Sequence, residues 1–228
     1  MLQKFRFGLA AWLIAKYEGF LRGMMHQKMG SLEIGSGLGD SAWLLYGFVR
    51  SLRPQISVEI GSARGKSTCF IGMALKENGV GKLFAIDPHC RTAWNDKDGV
   101  DTYPLIVGNL RSLGLEDYVK IIREKSEVAA RKWVSQIDLL FIDGDHSYDG
   151  VKHDWELYLP FVKQYGLVIF HDTLWDLHPE PPFYRPDMGV PRFVEELRRQ
   201  GYPVITIDKN YGVSIVQPVK GGIILSGQ

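Results

Sequence analysis

Cysteine is scarce in this 228-residue chain, which has only Cys69 and Cys90. Two residues make no disulfide framework, their spacing suits no metal, and Cys69 falls in an apolar helical run. A reducing, cytoplasmic setting is the expectation. Charge excess of one sign is also lacking: 27 Lys and Arg against 26 Asp and Glu leave a formal net charge of +1. Nothing there calls for nucleic acid as a partner. Long apolar runs are missing too. An uncharged stretch at 7–15 follows Lys4 and Arg6, as in a signal peptide. Yet Leu13 and Ile14 stand where a cleavage site needs small residues, and the stretch is far short of the roughly 20 residues that span a bilayer. Leu9, Leu13, Tyr17, Phe20 and Met24 instead recur at helical spacing. They predict an amphipathic helix packed on the domain or on a second subunit, which would make a homodimer. Membrane-surface association is its alternative, without stable insertion.

What is present is ordinary for a globular protein, with 45% apolar and 23% charged residues. The expected organisation is an N-terminal helical cap over 1–54, in the same folding unit as a main domain over 55–228. The cap includes a Gly/Ser-rich connection at 30–40 and a second apolar helix at 42–52. From 55 onward short apolar runs alternate with amphipathic helices. The runs are 56–60, 83–86, 119–122, 137–142, 167–170, 204–207 and 213–216. Helices are expected at 67–76, 102–113, 127–134, 151–161 and 190–199. Such alternation indicates a parallel sheet covered on both faces. Only five residues, Asp208 to Gly212, separate the last two runs, too few for a crossover, so these should form an antiparallel hairpin. The prediction is an α/β, Rossmann-like, doubly wound sheet of seven strands, mostly parallel, with N-terminal helices.

In such sheets ligands sit beyond the carboxyl ends of the strands. The first strand runs into Val58-Glu59-Ile60-Gly61-Ser62-Ala63-Arg64-Gly65-Lys66-Ser67. Gly61 and Gly65 allow a tight turn, Ser67 and Thr68 are candidate helix caps, and Glu59 offers a carboxylate to an ammonium group. A dinucleotide fingerprint fails, because Ala63 and Lys66 replace its second and third glycines. A P-loop needs four residues between its first glycine and Gly65-Lys66-Ser67, and Gly61 leaves three. The acidic run Leu139-Leu140-Phe141-Ile142-Asp143 keeps an NTPase as the runner-up. Asp87, ending the second strand, suits both hydroxyls of a ribose. Ser126 is a candidate for an adenine edge, or for capping the next helix.

The most specific segments are Ile137-Asp138-Leu139-Leu140-Phe141-Ile142-Asp143-Gly144-Asp145-His146-Ser147-Tyr148 and Gly166-Leu167-Val168-Ile169-Phe170-His171-Asp172-Thr173. With the terminal hairpin, the chain from about 55 to 217 resembles class I methyltransferases. Within them it is similar to the small-molecule O-methyltransferases that include antibiotic-sugar methyltransferases and cephalosporin hydroxylase-like proteins. The resemblance implies S-adenosylmethionine held by Glu59, Gly61, Ser62, Ala63, Gly65, Ser67, Asp87, Ser126 and Asp143. It further implies a divalent ion on Asp143 and Asp172, with Asp145 at the general-base position. His171 departs from the family, which has an acidic ligand or none there. Two carboxylates suit Mg²⁺ or Ca²⁺, whereas an added imidazole at His171 suits Mn²⁺, Fe²⁺ or Zn²⁺ better.

The chemistry stands on the residues as well. Methyl transfer to oxygen needs an aligned hydroxyl that loses its proton, and Asp145 or His146 is the candidate acceptor. The acceptor molecule is expected to be a small hydroxylated compound. Its recognition is assigned to a Pro-rich insertion at 174–191 with Trp175, His178, Tyr184 and Arg185, faced by Met24, Met25 and His26. Asp149 and Asp154 read as helix-start and solvent-facing residues. A noncatalytic cofactor-binding protein of the same fold is the third reading.

Overall fold

A computed structural model describes residues 34–90, 94, 101–177 and 185–219, together with Gly23, Gln27 and Met29. The chain divides into two compact units, Met1–Ile34 and Gly35–Gln228. The helix expected around Leu9, Leu13, Tyr17, Phe20 and Met24 lies outside the described residues, as do Met25 and His26. All else below concerns the second unit, which includes the helix at 42–52.

Its sheet has seven strands: β1 (Ile56–Ile60), β2 (Lys82–Ile86), β3 (Val119–Ile122), β4 (Ile137–Ile142), β5 (Val162–His171), β6 (Val204–Ile207) and β7 (Val213–Val216). They lie in the order β3-β2-β1-β4-β5-β7-β6. The first five are mutually parallel, while β7 runs antiparallel to both β5 and β6. This is the predicted sheet, and the order reverses between β1 and β4, where ligands of doubly wound sheets bind. Fully buried Val58, Leu139, Leu140, Val168 and Ile169 show why the central strands read as continuous apolar runs.

Six α-helices are described: α1 (Ala42–Leu52), α2 (Lys66–Asn78), α3 (Tyr103–Leu113), α4 (Ser126–Ala130), α5 (Tyr148–Tyr158) and α6 (Val190–Arg199). In α6 the buried residues are Val190, Phe193, Val194 and Leu197, the i, i+3, i+4, i+7 stripe of a helix lying on a sheet. In α1 they are Ala42, Leu45 and Val49, and the helix stops where Arg53 turns left-handed at φ 50°. Helix α2 is buried almost throughout, from Ser67 to Leu75. The helix expected at 127–134 is shorter, and β5 starts five residues earlier than its apolar run. Its first half is polar and half exposed, so periodicity gives no signal there.

Candidate active site

The β1 exit is built on a glycine with no substitute. Gly61 has φ 86°, and a Cβ there would run into the main-chain oxygen of Asp143 at the β4 exit. The two strand ends are joined, with Asp143 N–H donating to the Ile60 carbonyl (2.9 Å). The next two amides, of Ser62 and Ala63, donate to Asp87 Oδ2 at 3.0 and 2.8 Å. A phosphate seeking those amides would meet a carboxylate, so the P-loop NTPase alternative fails on charge. Asp87 Oδ1 accepts from the His89 amide at 2.6 Å. Buried Ser62 Oγ has no hydrogen-bond partner, leaving a hydroxyl available in the loop.

Glu59 is fully buried and accepts hydrogen bonds from Ser67 Oγ and from Thr68 Oγ1, the latter at 2.6 Å. Burial pushes its carboxyl up to about 8, although the two hydroxyl bonds pull it down and Asp143 and Asp87 push it further up. Ser67 and Thr68 therefore do not cap α2, which starts at left-handed Gly65 without a side-chain cap. They lock the strand-end carboxylate to the helix. Ser126 does not cap either, since the α4 N-cap is Lys125 and has no side-chain cap bond. The Ser126 side chain hydrogen-bonds to Asp154, whose carboxyl burial pushes up to about 6 against that bond. Asp154, expected to face solvent, is buried at 3% exposure. The Ser126 side chain and Gly144 lie against it.

The β4 and β5 exits bring four titratable side chains together. His146 Nδ1 is 3.1 Å from Asp172 Oδ2, and His171 Nδ1 is 3.2 Å from both Asp143 Oδ1 and Asp172 Oδ1. His171 Nε2 donates to the Asn210 carbonyl at 2.8 Å, which turns Nδ1 toward the carboxylates. Burial alone would lower the His171 imidazole, but Asp143 and Asp172 outweigh it and push it up to about 9. Asp172 holds a left-handed φ of 58°, and strained backbone of this kind gathers at functional sites. Among the described residues Asp143, His146 and Asp172 can place one ligand atom each within 4.8 Å of one another. Two carboxylates and an imidazole at this spacing fit a divalent ion. Buried Asp172 Oδ1 makes no hydrogen bond and is balanced by its ion pair with His171.

Asp145 is not drawn into this cluster. It is exposed, and its Oδ1 accepts the Ser147 amide at 2.9 Å, a turn before α5. Ser147, rather than His146, caps that helix by accepting from the Gly150 amide. His146 is held from the other side, its carbonyl accepting from Gly189 N–H (2.8 Å). Trp94 packs edge-on against its ring at 5.3 Å, and the Arg185 guanidinium lies 3.8 Å over Trp94. From the Pro-rich insertion, Trp175 lies against Tyr211 at 4.3 Å, whereas His178 and Tyr184 fall outside the described residues. Sequence reasoning missed Trp94 and also His89. The latter is 1% exposed, with Nδ1 2.9 Å from Thr102 Oγ1 and a left-handed φ of 50°. Its place two residues after Asp87 was the available signal. Trp94 offered none.

The strand order, antiparallel terminal hairpin and ligand-end cluster define the class I methyltransferase fold. A family model described as "Methyltransferase domain" matches residues 58–173, just over half of the chain, and the chain belongs to that family. It is 29% identical over 169 residues to the uncharacterized protein y4gI of Sinorhizobium fredii, covering 66% of this chain and 18% of that one. It is 27% identical over 160 residues to caffeoyl-CoA O-methyltransferase of Populus kitakamiensis, covering 68% and 62% respectively. The chain thus spans less than two thirds of these curated relatives. Among solved structures, the O-methyltransferase TomG of Streptomyces achromogenes in complex with SAM superposes with a TM-score of 0.61 at 17% identity, over 86% of each chain. Among the described residues no helix is long and apolar enough to cross a membrane.

Proposed function

We propose that the chain transfers a methyl group from S-adenosylmethionine to a hydroxyl of a small molecule, of sugar or natural-product type, with a divalent ion at the β4 and β5 exits. The observation that carries this reading is the contact of Gly61 with Asp143, which joins the glycine loop to the carboxylate–histidine cluster. A cofactor on the loop would thereby lie next to the groups that handle the acceptor. Family membership supports methyl transfer, and the caffeoyl-CoA O-methyltransferase relative supports the choice of oxygen.

S-adenosylmethionine supplies an electrophilic methyl, and a divalent ion would lower the pKa of an acceptor hydroxyl. Asp87 receives ribose hydroxyls on lone pairs not used by Ser62, Ala63 and His89. Ser62 Oγ supplies a further polar contact, while buried Glu59 braces the loop from behind. Asp143, His146 and Asp172 would hold the ion, with His171 Nδ1 facing the same two carboxylates. The proton leaving the acceptor goes to Asp145, or to His146 where the ion is held by the two carboxylates alone. Calorimetry with S-adenosylhomocysteine, ATP and NAD tests the cofactor: ATP binding without S-adenosylhomocysteine binding would overturn it. Turnover of a hydroxylated-metabolite panel, with Mg²⁺ or Mn²⁺ and then with EDTA, tests the rest. Binding without turnover would leave a noncatalytic cofactor-binding protein.

A further inference from the structure

We infer that Asn210 is a positioning residue for the transfer centre, acting through His171, an inference that rests on the methyltransferase reading. Two sets of contacts and a left-handed backbone meet at this residue. Its main-chain carbonyl accepts a hydrogen bond from His171 Nε2–H at 2.8 Å. Its side-chain Oδ1 accepts from the Ser41 amide at 3.2 Å and lies 3.2 Å from Ser41 Oγ, which is equally close to the Lys209 carbonyl. Its backbone is left-handed at φ 47°, followed by Tyr211 at φ 67°.

Asn is one of the few side chains that enter this region at low cost, but two successive non-glycine residues there need outside support. Ser41, in the short 3-10 turn Gly39–Ser41 before α1, provides it across 169 residues of sequence. The β6–β7 turn is thus fastened to the start of α1, and the carbonyl that orients His171 is fixed with it. With Nε2 committed to that carbonyl, Nδ1 stays within 3.2 Å of Asp143 and Asp172. Outer partners of this kind set ring orientation at carboxylate–imidazole centres.

Two substitutions separate this role from backbone strain. Asn210→Gly keeps the left-handed turn and deletes the Ser41 contacts, whereas Asn210→Asp keeps both an acceptor oxygen and tolerance of the turn. Asn210→Gly should lower kcat about tenfold, within the 10- to 100-fold range of outer-partner losses. Its affinity for S-adenosylhomocysteine should stay within about twofold and its KM for the acceptor nearly unchanged. In ¹⁵N NMR spectra its His171 Nε2–H should exchange at least about tenfold faster, and Asn210→Asp should rescue both readouts to within about threefold. Wild-type kcat and exchange in Asn210→Gly would overturn the inference, as would equal losses in both variants. A wild-type chain that binds no S-adenosylhomocysteine would refute the methyltransferase reading, while the exchange readout would still decide the clamp.

Discussion

The β1 and β4/β5 exits sit side by side yet are built in opposite ways. At the β1 exit the main chain does the work: a left-handed glycine, two amides aimed at one carboxylate, and a buried Glu59 closed off by two hydroxyls. The β4/β5 exit is stocked with ionisable side chains, two carboxylates and two imidazoles in mutual contact. One region is a shaped cradle, the other a reserve of charge. A cradle fails when its shape changes, and a charge centre fails when one partner is removed.

The largest effect should come from Gly61→Ala, because it strikes both regions at once. The added methyl meets the Asp143 carbonyl in a left-handed backbone, so a loss of more than about 3 kcal/mol is expected by denaturant unfolding. A folded, fully active variant would show that the two exits do not need their close contact. Asp172→Ala should divide the regions. Turnover should fall at least about 100-fold, while calorimetric affinity for S-adenosylhomocysteine stays nearly intact. An equal loss of cofactor affinity would dissolve the division between cradle and charge centre.

Glu59→Gln sharpens the comparison through pH. The Glu59 carboxyl is raised to about 8 in the folded chain, so the folded state binds this proton more tightly than the unfolded state does. Its contribution to stability is complete below the ordinary Glu range and is lost as pH rises through about 8. The slope is at most about 1.4 kcal/mol per pH unit. Chemical unfolding across that window should give a visibly flatter pH profile for Glu59→Gln. The smallest effect belongs to Ser147→Ala, which removes the α5 cap beside His146. About 1 kcal/mol of stability should go, with cofactor affinity unchanged.

Much of this fold is legible in the sequence. Residues 56–60, 119–122, 137–142, 204–207 and 213–216 were read as strands with the bounds they have. Strands buried on both faces carry their own signal, and a five-residue link allows only a hairpin. The strand-end residues Asp87, Asp143, His146, His171 and Asp172 were legible for a related reason: topology alone puts strand ends on the ligand side of the sheet. Partners were not. Ser67 and Thr68 read as caps but face Glu59; Ser126 reads as a cap or an adenine contact, and its side chain bonds to Asp154. Asp154 looked solvated but is buried.

By itself, then, the sequence determined the sheet, its terminal hairpin and the side on which the chemistry lies, because hydrophobic periodicity and loop length are properties of consecutive residues. Tertiary structure alone decided which donor each carboxylate meets. It turned His171 toward two of them by way of Asn210, and it held Asp145 in a turn outside the cluster. Side-chain rotation and contacts across as many as 169 residues fix those pairings, and no local pattern encodes either.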